Sequence, residues 1–183
     1  MSEEMLITHC SPTLAGMKTG NLFTCPCESI QEIEEQIQKW NQILSPKGVQ
    51  ITLLRMLKDR ALIYVYRPKK LMVDIQREDA KCLLREQGYK NYEANACIAE
   101  LMNRLSTYKE FPHEIGLFLG YPLEDIKGFI EHKGKNCKCV GCWKVYCNEQ
   151  EARKTFAKYK RCTNIYQRKL NEGHSIEKLV VGA

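Results

Sequence analysis

Val49-Gln50-Ile51-Thr52-Leu53-Leu54-Arg55-Met56 and Ala61-Leu62-Ile63-Tyr64-Val65-Tyr66-Arg67 are two runs of aliphatic, β-branched and aromatic residues, parted only by Leu57-Lys58-Asp59-Arg60. Such runs joined by so short a polar connection predict a β-hairpin. Pro68 has no N–H to give a sheet, so it ends the second strand. On the N-terminal side, Ser29 can cap a helix, with Glu32 three residues on to close a capping box. Ile30, Ile33, Ile37, Trp40 and Leu44 then recur at helical spacing until Pro46-Lys47-Gly48 stops the run. Further out, Met5 to Thr8 is a short β-type run that Pro12 breaks. A loop with Gly16, Gly20 and Cys25-Pro26-Cys27 follows it.

Beyond Pro68 the patterns are helical. Ala94, Cys97, Ile98, Leu101 and Leu105 form one stripe. Pro112 can start a short helix over His113 to Leu119, and Pro122 a second over Leu123 to Glu131. Asn148 can cap a long helix with Glu151 completing its box, and Ala152, Phe156, Tyr159, Tyr166 and Leu170 line one face of it. The expected fold class is α+β: a small N-terminal antiparallel β-sheet with one packed helix, then a larger, mainly helical part. The expectation is one domain over 1–183, β-rich across 1–67 and helical across 68–183, with a cysteine-rich loop at 132–147. No repeat, low-complexity segment or long linker interrupts the 183 residues.

Composition narrows the function classes. The chain is 44% hydrophobic and 27% charged, as soluble globular proteins are. The longest strongly apolar stretch is Ala61 to Tyr66, far short of a membrane span. Met1-Ser2-Glu3-Glu4 is acidic where a secretory signal is basic, so a cytoplasmic location is expected. From Lys133 to Lys169 eleven Lys and Arg face two Glu, a net +9 that leaves −3 for the rest of the chain. That region suits nucleic acid, an anionic ligand or an acidic partner, or is simply a solvated helix face. Ile115 to Ile126 has the rhythm of a helix-turn-helix with Gly120 at its turn, but the second helix offers Glu124, Asp125 and Glu131 where bases and phosphates need cations. A helical hairpin packed into the core is the expectation there, and nucleic acid is disfavoured as a partner. Phosphate-loop, dinucleotide, nucleophile-elbow and H-E-x-x-H motifs are absent from the sequence.

Ten cysteines in a chain read as cytoplasmic point to metal or redox chemistry rather than to a disulfide framework. Four lie within eleven residues, Cys137, Cys139, Cys142 and Cys147, as C-x-C-x2-C-x4-C. Thiolates in that number suit zinc or an iron–sulfur cluster, and could also exchange disulfides among themselves. Gly134, Asn136 and Gly141 supply turns, and the lysines at 133, 135, 138 and 144 would favour thiolates. The spacing matches neither paired zinc knuckles nor a ferredoxin loop, so a remote ligand is needed, for which Cys162, His132, Cys25 and Cys27 are candidates. In the alternative the cysteines are ordinary loop residues. Cys82 and Cys97 fall inside helical patterns and are expected in the core. His113-Glu114 is either a catalytic or ligating pair or an exposed first helical turn.

Phe111-Pro112-His113-Glu114-Ile115-Gly116, Leu119-Gly120-Tyr121-Pro122, Trp143-Lys144-Val145-Tyr146 and Ser11-Pro12-Thr13-Leu14-Ala15-Gly16 together resemble a bacterial family of unknown function, DUF 3793, across nearly the whole chain. The resemblance implies one cytosolic domain from a mainly anaerobic Firmicute lineage, a setting that admits oxygen-sensitive clusters and idle thiols alike. It leaves the reaction open. It also singles out Cys10, Thr13, His113, Lys144 and Tyr146 as a ligand-binding set. If these converge, they would bind an anionic small molecule or support catalysis. If they scatter, the motifs are turns, helix starts and a buried Trp143.

Overall fold

The computed structural model describes residues 1–108 and 110–182. These group into two compact units, one of residues 1–71 with 161–183 and one of residues 72–160.

In the first unit the hairpin forms as the sequence dictates: β2 (Gln50–Met56) and β3 (Arg60–Tyr66) pair antiparallel, and Leu57 N–H donates to the Arg60 carbonyl at 2.7 Å to close the turn. The register slips between Leu53 and Arg55, leaving Leu54 as the bulged residue. A third strand, β1 (Gly20–Pro26), completes the sheet in the order β1-β3-β2. The loop expected over this segment is thus a strand: Phe23 and Cys25 alternate into the core, and Pro26 sits at its end, where a missing N–H is tolerated.

The Met5–Thr8 strand expected from sequence is instead part of helix α1 (Glu3–Leu14). Ser2 caps it by accepting from Met5 N–H, and Glu3 and Glu4 occupy the first turn, where the helix dipole favours acids. Pro12 lies inside the last turn, where it has no N–H to give the Thr8 carbonyl. Helix α2 (Ile30–Leu44) takes its Ser29 cap as expected, although Glu32 reaches back to Glu28 N–H rather than to Ser29. Leu6, Ile7, Leu14, Ile33, Ile37, Ile51, Ile63 and Val65 form the core, with Cys10, Cys25, Cys27 and Cys162 packed among them.

Lys18 and Arg67 are buried cations of this unit. Arg67, 4% exposed, donates to the carbonyls of Thr13, Leu14 and Val181, each at 2.7 Å. Burial holds its pKa below the usual guanidinium value. The first two carbonyls close α1 and carry the negative end of its dipole, so the charge is met without a carboxylate.

The second unit holds α4 (Glu78–Glu86), α5 (Ala94–Thr107), α6 (Ile115–Phe118) and α7 (Leu123–Glu131), with the two-residue strands β4 (Cys139–Val140) and β5 (Lys144–Val145). Helices α3 (Pro68–Gln76) and α8 (Glu149–Asn171) run across the division between units, and α9 (Ile176–Leu179) belongs to the first. The helix-turn-helix lookalike is a packed hairpin, α6 against α7, as its acidic second helix implies. Gly116 makes that approach possible, because a Cβ there would stand 2.8 Å from Ile126 Cγ1. Gly120 turns the chain at φ +68°. Asn148 caps α8 through Glu151 N–H at 3.1 Å, as expected.

Two other expectations are corrected. Glu114 is not an exposed first-turn residue: it is 1% exposed, paired to Arg104 at 2.7 Å, and accepts from the Tyr89 hydroxyl at 3.1 Å. Cys97 is in the core, but Cys82 lies on the solvent face of α4, whose buried residues are Ala80, Leu83 and Leu84.

Candidate functional site

Asp125, in the first turn of α7, organises the end of the second unit. Its carboxylate is 4% exposed and fully engaged: one oxygen accepts from Trp143 Nε1 at 2.7 Å, the other from Tyr146 N–H at 2.7 Å and Cys147 N–H at 2.9 Å. It therefore fixes the chain leaving the ribbon and aims the indole of Trp143. Tyr121 and Phe156 pack on that indole at 5.0 and 4.5 Å between centroids, the second edge-on. A Cβ at Gly141 would stand 2.2 Å from the Phe156 ring, so the ribbon turn closes only with glycine there.

Beside Trp143 opens a cleft of about 340 Å³, the small end of the range for ligand pockets. Phe111, Tyr121, Phe129 and Trp143 line it together with Ile115, Gly116 and Ile126, and Asp125 borders it. Val140 and Lys144 are directly paired across the ribbon and so share one face, the face that lines the cleft. Phe111 and Val140, at 46% and 68% exposed, are apolar residues at its rim.

Two polar groups reach this apolar space. Lys144 Nζ donates to the Gly134 carbonyl at 2.8 Å and lies 5.6 Å from the centre of the Phe129 ring. Gly134 permits both contacts: its φ is +73°, and a Cβ there would meet Phe129 at 3.1 Å and Lys144 Nζ at 3.4 Å. His113 meets the same ring edge-on at 4.8 Å. Among the described residues no carboxylate lies within salt-bridge distance of Lys144.

Of the ligand-binding set expected from sequence, His113 and Lys144 meet at the cleft. Tyr146 stands next to it but not on its wall: its ring packs on Gly128 and stacks on His132 at 5.6 Å. Its hydroxyl is buried with no hydrogen-bond partner among the described residues, and burial, with Cys137 and Asp125 adding to it, pushes the phenol's pKa up. Cys10 and Thr13 belong to the first unit and are wholly buried. Thr13 hydrogen-bonds Asn21 at 2.7 Å, and burial drives the Cys10 thiol far up, with Lys18 opposing.

The cysteine loop turns where its residues predict, with Gly134 and Asn136 both at positive φ. Its thiols face different surroundings. Cys137 bears electrostatically on Tyr146, Cys139 on Arg153, and Cys142 on Tyr121 and Tyr159. Cys139, one place from Val140 on the ribbon, points to the face away from the cleft. Two of the lysines engage backbone rather than sulfur, Lys138 on the Cys147 carbonyl and Lys144 on that of Gly134. Among the described residues no three Cys, His, Asp or Glu side chains stand together as a metal-ligand group. Of the proposed remote ligands, Cys25, Cys27 and Cys162 are core residues of the first unit.

Sequence reading had not assigned Asp125, Tyr121, Phe129 or Trp143 to a site. The signal was nevertheless present: the stretches Phe111–Gly116, Leu119–Pro122 and Trp143–Tyr146 supply seven of the twelve residues around the cleft. Those three stretches meet around the cleft, whereas residues 11–16 belong to the first unit.

Among the described residues no helix is long and apolar enough to cross a membrane. Neither the curated proteins nor the solved structures contain a match to the chain. A family model described as a protein of unknown function, DUF3793, matches residues 6–180, and the chain belongs to that family.

Proposed function

We propose that the second unit is a small-molecule-binding domain whose ligand occupies the cleft beside Trp143. The observation that carries this reading is the wall itself: four aromatic side chains around an apolar space, with His113 and the ammonium of Lys144 converging on one of the rings. Few, well-placed polar groups in an otherwise apolar cavity are how small ligands are oriented. The cleft is held open by satisfied interactions, chiefly the three hydrogen bonds of Asp125, and so needs no rearrangement to receive a ligand. The thiolate set Cys137, Cys139, Cys142 and Cys147, with zinc or an iron–sulfur cluster, gains no comparable support, since its members face different neighbours.

Trp143 reports on the cleft directly. With Trp40→Phe removing the other indole, a panel of mono- and bicyclic fragments, neutral and charged, would be titrated against Trp143 fluorescence. Saturable one-to-one changes are expected, weakened by Val140→Tyr, which narrows the mouth from an exposed position. A panel without any saturable response would refute the reading.

A further inference from the structure

We infer that the ligand of the cleft is a planar aromatic acid, with its ring against Trp143, Tyr121 and Phe129 and its carboxylate on the ammonium of Lys144. The inference rests on the binding reading above and adds the chemical class. The walls select the ring. Flat side chains prefer offset or edge contact with another flat group, and the small cavity suits one or two fused rings better than a long chain. Lys144 selects the charge. Its ammonium has a carbonyl on one side and an aromatic face on another, and neither neutralises it. The one carboxylate in the cleft, Asp125, already accepts three N–H groups and is not a salt-bridge partner of Lys144. A half-buried cation of this kind has no counter-ion among the described residues, and a ligand carboxylate supplies it through a charge-assisted hydrogen bond. The apolar lining of Ile115 and Ile126 rejects a bare inorganic anion, which would lose its water there and gain only one partner.

The test compares 2-naphthoate with 2-naphthamide, nearly the same shape without the charge, by titration of Trp143 fluorescence and by calorimetry. The acid is expected to bind the wild type about tenfold or more tightly than the amide, the scale of one charge-assisted bond. Lys144→Met, which keeps the stem, is expected to abolish the preference for acid over amide. Lys144→Arg is expected to restore much of it, which separates loss of charge from loss of fold. Equal affinity of wild type for acid and amide would overturn the acid assignment and leave the cleft reading intact. Acid binding that survives Lys144→Met unchanged would also overturn it. If both compounds bind equally well to wild type and to Val140→Tyr, the site lies elsewhere and both readings fail.

Discussion

Replacing Asp125 tests whether one carboxylate assembles the cleft. In Asp125→Ala three donors lose their acceptor: the Trp143 indole and the amides of Tyr146 and Cys147. An unsatisfied buried donor costs about 1–3 kcal/mol, and bonds to a charged acceptor lie at the strong end. The Cys147 side is exposed enough for water to replace part of the loss, so a total of about 3 kcal/mol is expected. Asp125→Asn divides the effect. Its amide oxygen can still accept from both backbone N–H groups, but its NH2 then faces the indole N–H, donor against donor. About 1.5 kcal/mol is expected for that variant, with Trp143 emission shifting to the red as its ring is released. Urea unfolding followed in the Trp40→Phe background, by circular dichroism and by fluorescence, gives both quantities. If Asp125→Ala lies within about 0.5 kcal/mol of the parent, a span typical of neutral surface substitutions, the assembly argument is wrong. Equal effects of Ala and Asn would refute the division between backbone and indole.

Breaking the Arg104–Glu114 pair from either side should cost about 3 kcal/mol, because the partner left behind is a buried charge. A double replacement with Met and Leu should cost clearly less than the sum of the singles in the same urea assay. Alkylation followed by mass spectrometry should find Cys82, Cys142 and Cys147 modified first and Cys10 and Cys97 last in the native protein. Burial pushes the Cys97 thiol up to about 11, with Glu93 adding to it. Between the ordinary thiol range and that value the unfolded chain has lost the proton that the folded chain keeps, so stability should fall as pH rises through that window. Arg67→Lys should loosen the C-terminal segment, since one ammonium on a flexible stem cannot hold three carbonyls in a plane. Faster hydrogen exchange at Val181, whose N–H donates to the Leu14 carbonyl, is the expected sign.

What could be read from the sequence was what local chemistry alone decides. The hairpin, the Ser29 and Asn148 caps and the Leu123–Glu131 helix are set by neighbours within a few residues, and all three kinds of signal survive in the fold. Met5 to Thr8 misleads because four apolar or β-branched residues fit a strand or one face of a helix equally. The cap at Ser2 decides between them, with Glu3 and Glu4 behind it. Gly20 to Pro26 misleads the opposite way: its turn-forming ends hide the alternation of Phe23 and Cys25, which has value only once β3 is there to pair with. Glu114 looks exposed until Arg104, ten residues away, is brought against it. The cleft was legible only as separate motifs, since what ties Trp143 to the helical hairpin is Asp125, a residue that in sequence looks like an ordinary acid in a first helical turn.

The net +9 between Lys133 and Lys169 suggests a field for a large anion, yet much of it is answered locally. Arg153 pairs with Glu149, Lys154 with Glu151, and Arg168 and Lys169 both with Glu172, which lies just past the counted stretch. Such exposed pairs add little stability and are screened by salt, but they remove the lone cations that a phosphate chain would need. Lys144 belongs to the same run and differs in kind. It is partly withdrawn from water beside an aromatic face, where a charge is screened less and an arriving carboxylate is worth more. Binding governed by that one group should weaken only modestly between low and physiological salt. Docking of a polyanion on the helix face would instead lose affinity steeply, with a slope set by the number of phosphates met. The salt dependence of 2-naphthoate binding thus separates a single enclosed cation from a basic surface, and a steep slope would return the argument to the helix.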